Sequence, residues 1–186
     1  MDNWEVSEKH RKFLLEVRFA GKVYYTVQGA DTSDKSYDDK WLTDTEGKIL
    51  LFSSPDDLYT EIMRMDEIFD KTEMRAWAVA RLDDYEPYAV VDLDLLENAQ
   101  LQLVNRELIS AIYITLGLLK DYVIQVDDVM MLLLLEDSVT VRFLDDWADY
   151  IVWGKKMSAK LEIDKTLFPL LKALYSQLSE KIKIHR

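Results

Sequence analysis

The chain has 186 residues, 23 Lys and Arg against 35 Asp and Glu, a formal net charge of −12 and no cysteine. The cysteine count excludes a disulfide framework, a thiolate metal site and a cysteine nucleophile, and the acidic balance opposes nucleic-acid binding, which depends on neutralising phosphates. With 49% hydrophobic and 11% aromatic residues but five Gly and three Pro, the composition is that of one folded domain over 1–186, with no disordered linker.

The charge is unevenly spread. Residues 154–186 carry +5 and residues 1–28 carry +1, so the total of −12 leaves −18 on residues 29–153. A field of that sign attracts basic partners, at rates that fall with salt. The N-terminus, MDNWEVSEKHRKF, has acids where a signal peptide needs bases, and a cytoplasmic location is the expectation.

In chain order, residues 2–10 can form a polar helical turn or fray. Lys12–Phe19 and Lys22–Gln28, rich in Val, Phe, Tyr and Thr and separated by Ala20-Gly21, predict a hairpin. Residues 29–47 are dense in turn formers and read as a surface loop with at most a short strand. Its acids include Asp31, Asp34, Asp38, Asp39, Asp44 and Glu46, with Tyr37 and Trp41 among them. The spacing lacks the Gly and terminal Glu of a calcium loop. Either it is a solvated loop, or Trp41 anchors a contact in which the carboxylates meet Lys or Arg of a partner.

Lys48–Phe52 predicts a short strand. Ser54-Pro55-Asp56-Asp57 is a helix start, and the spacing of Leu58, Ile62, Met65 and Phe69 carries the predicted helix to about Phe69. Residues 73–82 fit helix or strand. Tyr88–Leu96 alternates as a strand with Asp92 and Asp94 on one face, a pair that could serve a metal or general acid–base chemistry, although neither histidine lies near it in sequence. Asn105–Tyr122 is predicted to be a buried central helix, with Leu108, Ile112, Leu116 and Leu119 on one face. Its uninterrupted apolar part is far short of the ~20 residues that cross a bilayer. If its Tyr113 and Leu118 side is exposed, a homodimer becomes plausible.

Residues 129–135 fit helix or strand, and Val139–Phe143 alternates as a strand. Within 144–157, Asp145, Asp146 and Asp149 lie beside Trp147, Tyr150 and Trp153. This suits either a recognition surface or core aromatics with a charged rim. Asp164–Ile184 is predicted to be an amphipathic helix on Leu167, Leu171, Leu174 and Leu178. The expected fold is α+β: a small, largely antiparallel sheet packed against the buried central helix and a C-terminal amphipathic helix. Neither a Gly-rich phosphate loop, a nucleophile elbow nor a histidine-based zinc motif occurs in the sequence, and neither a cofactor nor catalysis is expected.

The order of hairpin, KILLFSSPDDLYTEI, YAVVDLDLL, an apolar helix ending in LLKDY, and WADYIVWGKKMSAKLEIDKTLFPLL resembles that of immunity proteins of bacterial contact-dependent growth inhibition and related toxin systems. The resemblance implies a cytoplasmic α+β protein, without activity of its own, that binds the C-terminal toxin domain of a delivered effector. Many such toxins are nucleases with basic surfaces. An acidic inhibitor would gain association rate and specificity from covering one. The partner-binding residues expected on this reading are Asp38, Asp39, Trp41, Asp44, Asp145, Asp146, Trp147, Asp149 and Trp153. Two alternatives are an acidic regulatory module with another protein partner, and a carboxylate-dependent hydrolase built on Asp92 and Asp94.

Overall fold

The computed structural model describes residues 3–81, 85–100, 105–151 and 163–185. The architecture is α+β. Contacts divide the chain into two compact units, one formed by residues 1–91 with 181–186, the other by residues 92–180.

The first unit begins with α1 (Asn3–His10), then β1 (Lys12–Phe19) and β2 (Lys22–Ala30). Their antiparallel register runs from Lys12↔Gly29 to Phe19↔Lys22. Ala20 and Gly21 both take left-handed backbone, with φ of 51° and 71°, as a two-residue hairpin turn needs. β3 (Asp39–Trp41) pairs with the end of β2, and β4 (Ile49–Phe52) pairs with its start through Tyr25↔Phe52. All four β4 residues are buried, since both faces of this strand are covered.

Ser54 caps α2 (Pro55–Arg64) by accepting the Asp57 amide at 3.2 Å, as its sequence signature requires. The helix stops at Met65, short of Phe69. The Arg75 guanidinium takes the Met65 carbonyl at 2.9 Å, and Met65, Ile68 and Phe69 still pack on the core from non-helical backbone. The ambiguous stretch after it is α3 (Lys71–Ala80), which buries Met74, Trp77 and Ala78 at helical spacing. The core joins Leu14, Val27, Leu50 and Phe52 of the sheet to Leu58, Tyr59 and Ile62 of α2 and to Met74 and Trp77 of α3. β5 (Ala89–Asp92) and β6 (Ile182–His185) complete a sheet of order β5-β1-β2-β4-β6, with β3 paired to β2 off that path. β6 runs parallel to β4, Ile49 opposite Ile182. The predicted C-terminal helix therefore ends early. Ile182 and Ile184 alternate as a strand once the Lys181 carbonyl has accepted the Ile49 amide at 2.8 Å.

Gly29 shows how tightly this unit is built. A Cβ there would stand 2.1 Å from the Arg11 carbonyl oxygen and 2.9 Å from Lys12 Cα, both backbone atoms that cannot swing away. Gly117, within the long helix of the second unit, would place its Cβ in open space. Gly29→Ala is expected to destabilise by about 1–3 kcal/mol, and Gly117→Ala to stabilise by about 0.5–1 kcal/mol. Urea unfolding of the two variants checks the pair, and equal midpoints would contradict the packing described.

The second unit opens with α4 (Asp94–Asn98), then α5 (Arg106–Val126), capped by Asn105 accepting the Leu108 amide at 2.8 Å. At 21 residues α5 is longer than its apolar run predicted and, by length and composition, could cross a membrane. One side of it is interior: Ile112, Leu116, Leu119, Tyr122 and Val123 are all buried. Tyr113 and Leu118 are half-buried, whereas Ile114 is exposed. The apolar run at 129–135 is α6 (Val129–Leu135), capped by Asp128. Val139–Phe143 is not a strand but the start of α7 (Ser138–Ile151). Asp137 accepts the Val139 amide at 2.9 Å, and the buried residues Thr140, Phe143 and Trp147 fall on one helical face, so burial overrides the β-branched preference. α8 (Leu167–Glu180) buries Leu167, Leu171, Leu174 and Leu178, as their spacing predicted.

Candidate functional site

The acidic loop of the first unit is fastened at both ends. Asp31, 5% exposed, accepts from Lys40 Nζ at 2.7 Å and from the Ser33 hydroxyl at 2.6 Å. Burial would raise its pKa, but the hydrogen bonds of Lys40 and Ser33 and the Lys40 charge outweigh that and hold it below the usual aspartate value. Asp44 closes the other end, accepting from Lys183 at 2.9 Å and from the amides of Glu46 and Lys48. Its pKa is lowered in the same way, with burial opposing and Lys183 and the amides prevailing. Asp44 is thus a staple between the loop and β6, engaged with its own chain.

Trp41 is fully buried, because β3 turns it inward opposite Gln28. It is a core residue and not the surface anchor expected from its acidic neighbours. The aromatic ring that faces out is Tyr37, 54% exposed and carried on left-handed backbone at φ 55°. Around it Asp34, Asp38 and Asp39 are exposed. The three residues of β3 carry no signal for this: strict alternation would put Trp41 on the face of the exposed Asp39, and its burial follows from pairing with the distant β2.

Behind the loop lies a buried polar hub. The Lys12 ammonium, with its side chain at 0% exposure, donates to the His10 carbonyl at 3.2 Å, the Ala30 carbonyl at 2.6 Å and Asp70 Oδ2 at 2.7 Å. Asp70 Oδ2 also accepts the amide of Thr32 at 3.0 Å and its hydroxyl at 2.8 Å. All three ammonium protons have acceptors, so the arrangement ties α1, β1, β2, the loop and α3 together. It is built to hold structure. A second exposed aromatic group in this unit stacks Trp4 on Tyr88, ring centroids 5.2 Å apart, with Phe13 4.5 Å beyond Tyr88.

In the second unit Asp145 is exposed on α7, and Asp146 and Asp149 are half-buried. Trp147 is 1% exposed and, like Trp41, belongs to the core rather than to a recognition surface: it continues the inward face of Thr140 and Phe143. Trp153 lies outside the described residues. Asp146 lines a cavity of about 350 Å³ with Arg142, Phe143, Asp164 and Leu167, where Arg142 approaches Asp164 at 3.4 Å. The two acidic segments belong to different units, and each stands on its own geometry.

The expected pairing of Asp92 and Asp94 on one strand face does not occur. Asp92 ends β5, the chain turns at Leu93, and Asp94 begins α4, where its carboxylate accepts the Tyr175 hydroxyl at 3.2 Å. The two-residue spacing that suggested a shared face is interrupted by the change from strand to helix. Among the described residues no group of three or more His, Asp or Glu could hold a metal ion.

No protein-family model matches the chain. No curated protein matches it either. Among solved structures, a crystal structure of the SatS C-terminal domain in complex with bromine is similar in fold, with a TM-score of 0.65, 12% identity, and coverage of 99% of this chain and 98% of that one. At that identity the likeness bears on the fold alone.

Proposed function

We propose that this chain is a non-catalytic binding protein that neutralises a cognate basic toxin domain, acting as an immunity protein whose acidic surface covers the toxin's active or substrate-binding face. The observation that supports this reading is the stapled loop. Asp31 and Asp44 are consumed internally in fixing its ends, which leaves Asp34, Asp38 and Asp39 around Tyr37 as an outward-facing group. A loop held this way loses little conformational freedom when it meets a partner, and clustered carboxylates around an amphipathic aromatic suit a Lys- and Arg-rich surface. The contact residues of this proposal are therefore Tyr37, Asp38 and Asp39 of the first unit; Asp145, exposed on α7 of the second unit, is a separate candidate contact.

Reversing the loop charge tests it. With the C-terminal domain of the neighbouring upstream reading frame's product tried as partner, Asp38→Lys with Asp39→Lys is expected to slow association by roughly tenfold or more at low salt and to flatten its salt dependence. Stopped-flow mixing measures both. An unchanged rate would remove the loop from the interface, and absence of a complex in the wild-type protein would overturn the proposal in favour of an acidic module with another partner.

A further inference from the structure

We propose that α6 is a docking face for an amphipathic helix of a partner protein that carries Lys or Arg at both ends of its apolar stripe. Helix α6 reads VMMLLLL, yet only Met131 and Leu135 are buried. Val129, Met130 and Leu133 are 59%, 61% and 60% exposed. They stand at i, i+1 and i+4, which is one helical face, and three large side chains exposed together on one short helix mark an interaction surface more than chance exposure does. Methionine on such a face adapts its shape to what it meets.

The charge around the face selects the occupant. In the chain around α6, Asp121, Asp127, Asp128, Glu136 and Asp137 outnumber the cations Lys120 and Arg142 that bound this stretch. Asp127 and Glu136, at opposite ends of α6, are both exposed. A second copy of this chain in a two-fold contact would set acid against acid at the ends of the helix, whichever of Asp127 and Glu136 faced the other copy. An anionic lipid surface would be repelled by them. An amphipathic helix with cationic ends meets both requirements: its apolar side covers Val129, Met130 and Leu133, and its charges face the acids. The inference concerns a surface separate from the acidic loop and does not require the partner to be a toxin.

The test uses the full chain and a fluorescein-labelled synthetic helix with a Leu stripe flanked by Lys, beside a sibling flanked by Glu. Wild-type protein is expected to bind the Lys-flanked helix at least about tenfold more tightly than the Glu-flanked one by anisotropy. Met130→Glu with Leu133→Glu is expected to weaken that binding by about tenfold or more, although the substitutions add negative charge. Met130→Gln with Leu133→Gln, which keeps helix propensity and net charge, is expected to weaken it in the same direction. Equal or tighter binding by the Glu variant would show diffuse attraction alone and overturn the proposal, as would failure of wild-type protein to bind. So would a wild-type dimer that the substitutions convert to monomer, because the occupant would then be a second copy.

Discussion

Trp41→Ala is expected to lower the stability of the protein by about 3–5 kcal/mol, the usual cost of deleting a buried tryptophan. The side chain is fully buried on β3, in a unit whose other large interior groups include Trp77, Tyr59 and Phe52. Its removal leaves a void between backbone segments that are hydrogen-bonded on both sides, Leu42 to Val27 at 3.0 Å and Leu50 to Leu42 at 3.0 Å. A site so framed collapses poorly, and the cavity cost is retained. In urea the midpoint should fall without change of slope. Were Trp41 an exposed anchor, its loss would change stability by no more than about 0.5 kcal/mol and act on affinity alone. The experiment therefore separates a structural tryptophan from a recognition tryptophan.

Asp70→Ala is expected to cost a similar amount, about 3–5 kcal/mol, by breaking a buried charge pair and leaving one partner uncompensated. Three donors lose their acceptor at once: Lys12 Nζ, the Thr32 amide and the Thr32 hydroxyl. Asp70 also sits on left-handed backbone, with φ at 46°, at the N-cap of α3, where alanine is strained and asparagine is tolerated. Asp70→Asn therefore isolates the charge from the strain and should cost less than Asp70→Ala. The pH dependence carries the same sign. Burial alone would raise the Asp70 pKa, but the Lys12 and Thr32 hydrogen bonds and the Lys12 charge bring it below the ordinary value of 3.8. A depressed folded-state pKa contributes stability that is present above the unfolded value and lost as pH falls through the folded one. Asp31 and Asp44 shift the same way. Unfolding midpoints should thus drop as pH falls below about 4, and the Asp70→Asn variant should show a shallower drop than the wild-type protein.

Sequence patterns predicted elements where one local signal dominated. Ser54 with Pro55 started α2, Ala20-Gly21 closed the β1–β2 hairpin, and the Leu167–Leu178 spacing gave α8. They failed where two periods coincided. Val139, Val141 and Phe143 alternate like a strand, but Thr140, Phe143 and Trp147 share a helical face, and burial followed the second pattern. Asp92 and Asp94 alternate too, yet a helix begins between them. β6 could not be foreseen from its four residues, because its partner β4 lies more than a hundred positions earlier in the chain. The candidate surface was half visible. The clustering of acids around Tyr37 was plain, but which acids would be spent on Lys40, Lys183 and backbone amides depends on contacts that bridge distant segments, and so does the inward rotation of Trp41.

These contacts sort the acids by role. Asp31, Asp44 and Asp70 satisfy cations and amides of their own chain and act on folding. Asp38, Asp39 and Asp145 are exposed and carry the proposed recognition. Substitutions in the first group should alter stability, while those in the second should alter association rate, and rim charges act chiefly in that way.

The most direct measurement is survival of cells that express the C-terminal domain encoded by the neighbouring upstream reading frame, with and without this chain, scored together with recovery of the complex. Survival that depends on this chain, with a one-to-one complex that dissociates as salt is raised, is the result expected of a neutralising acidic inhibitor. Death of the cells despite a well-expressed, folded protein, or survival without any complex, would contradict it.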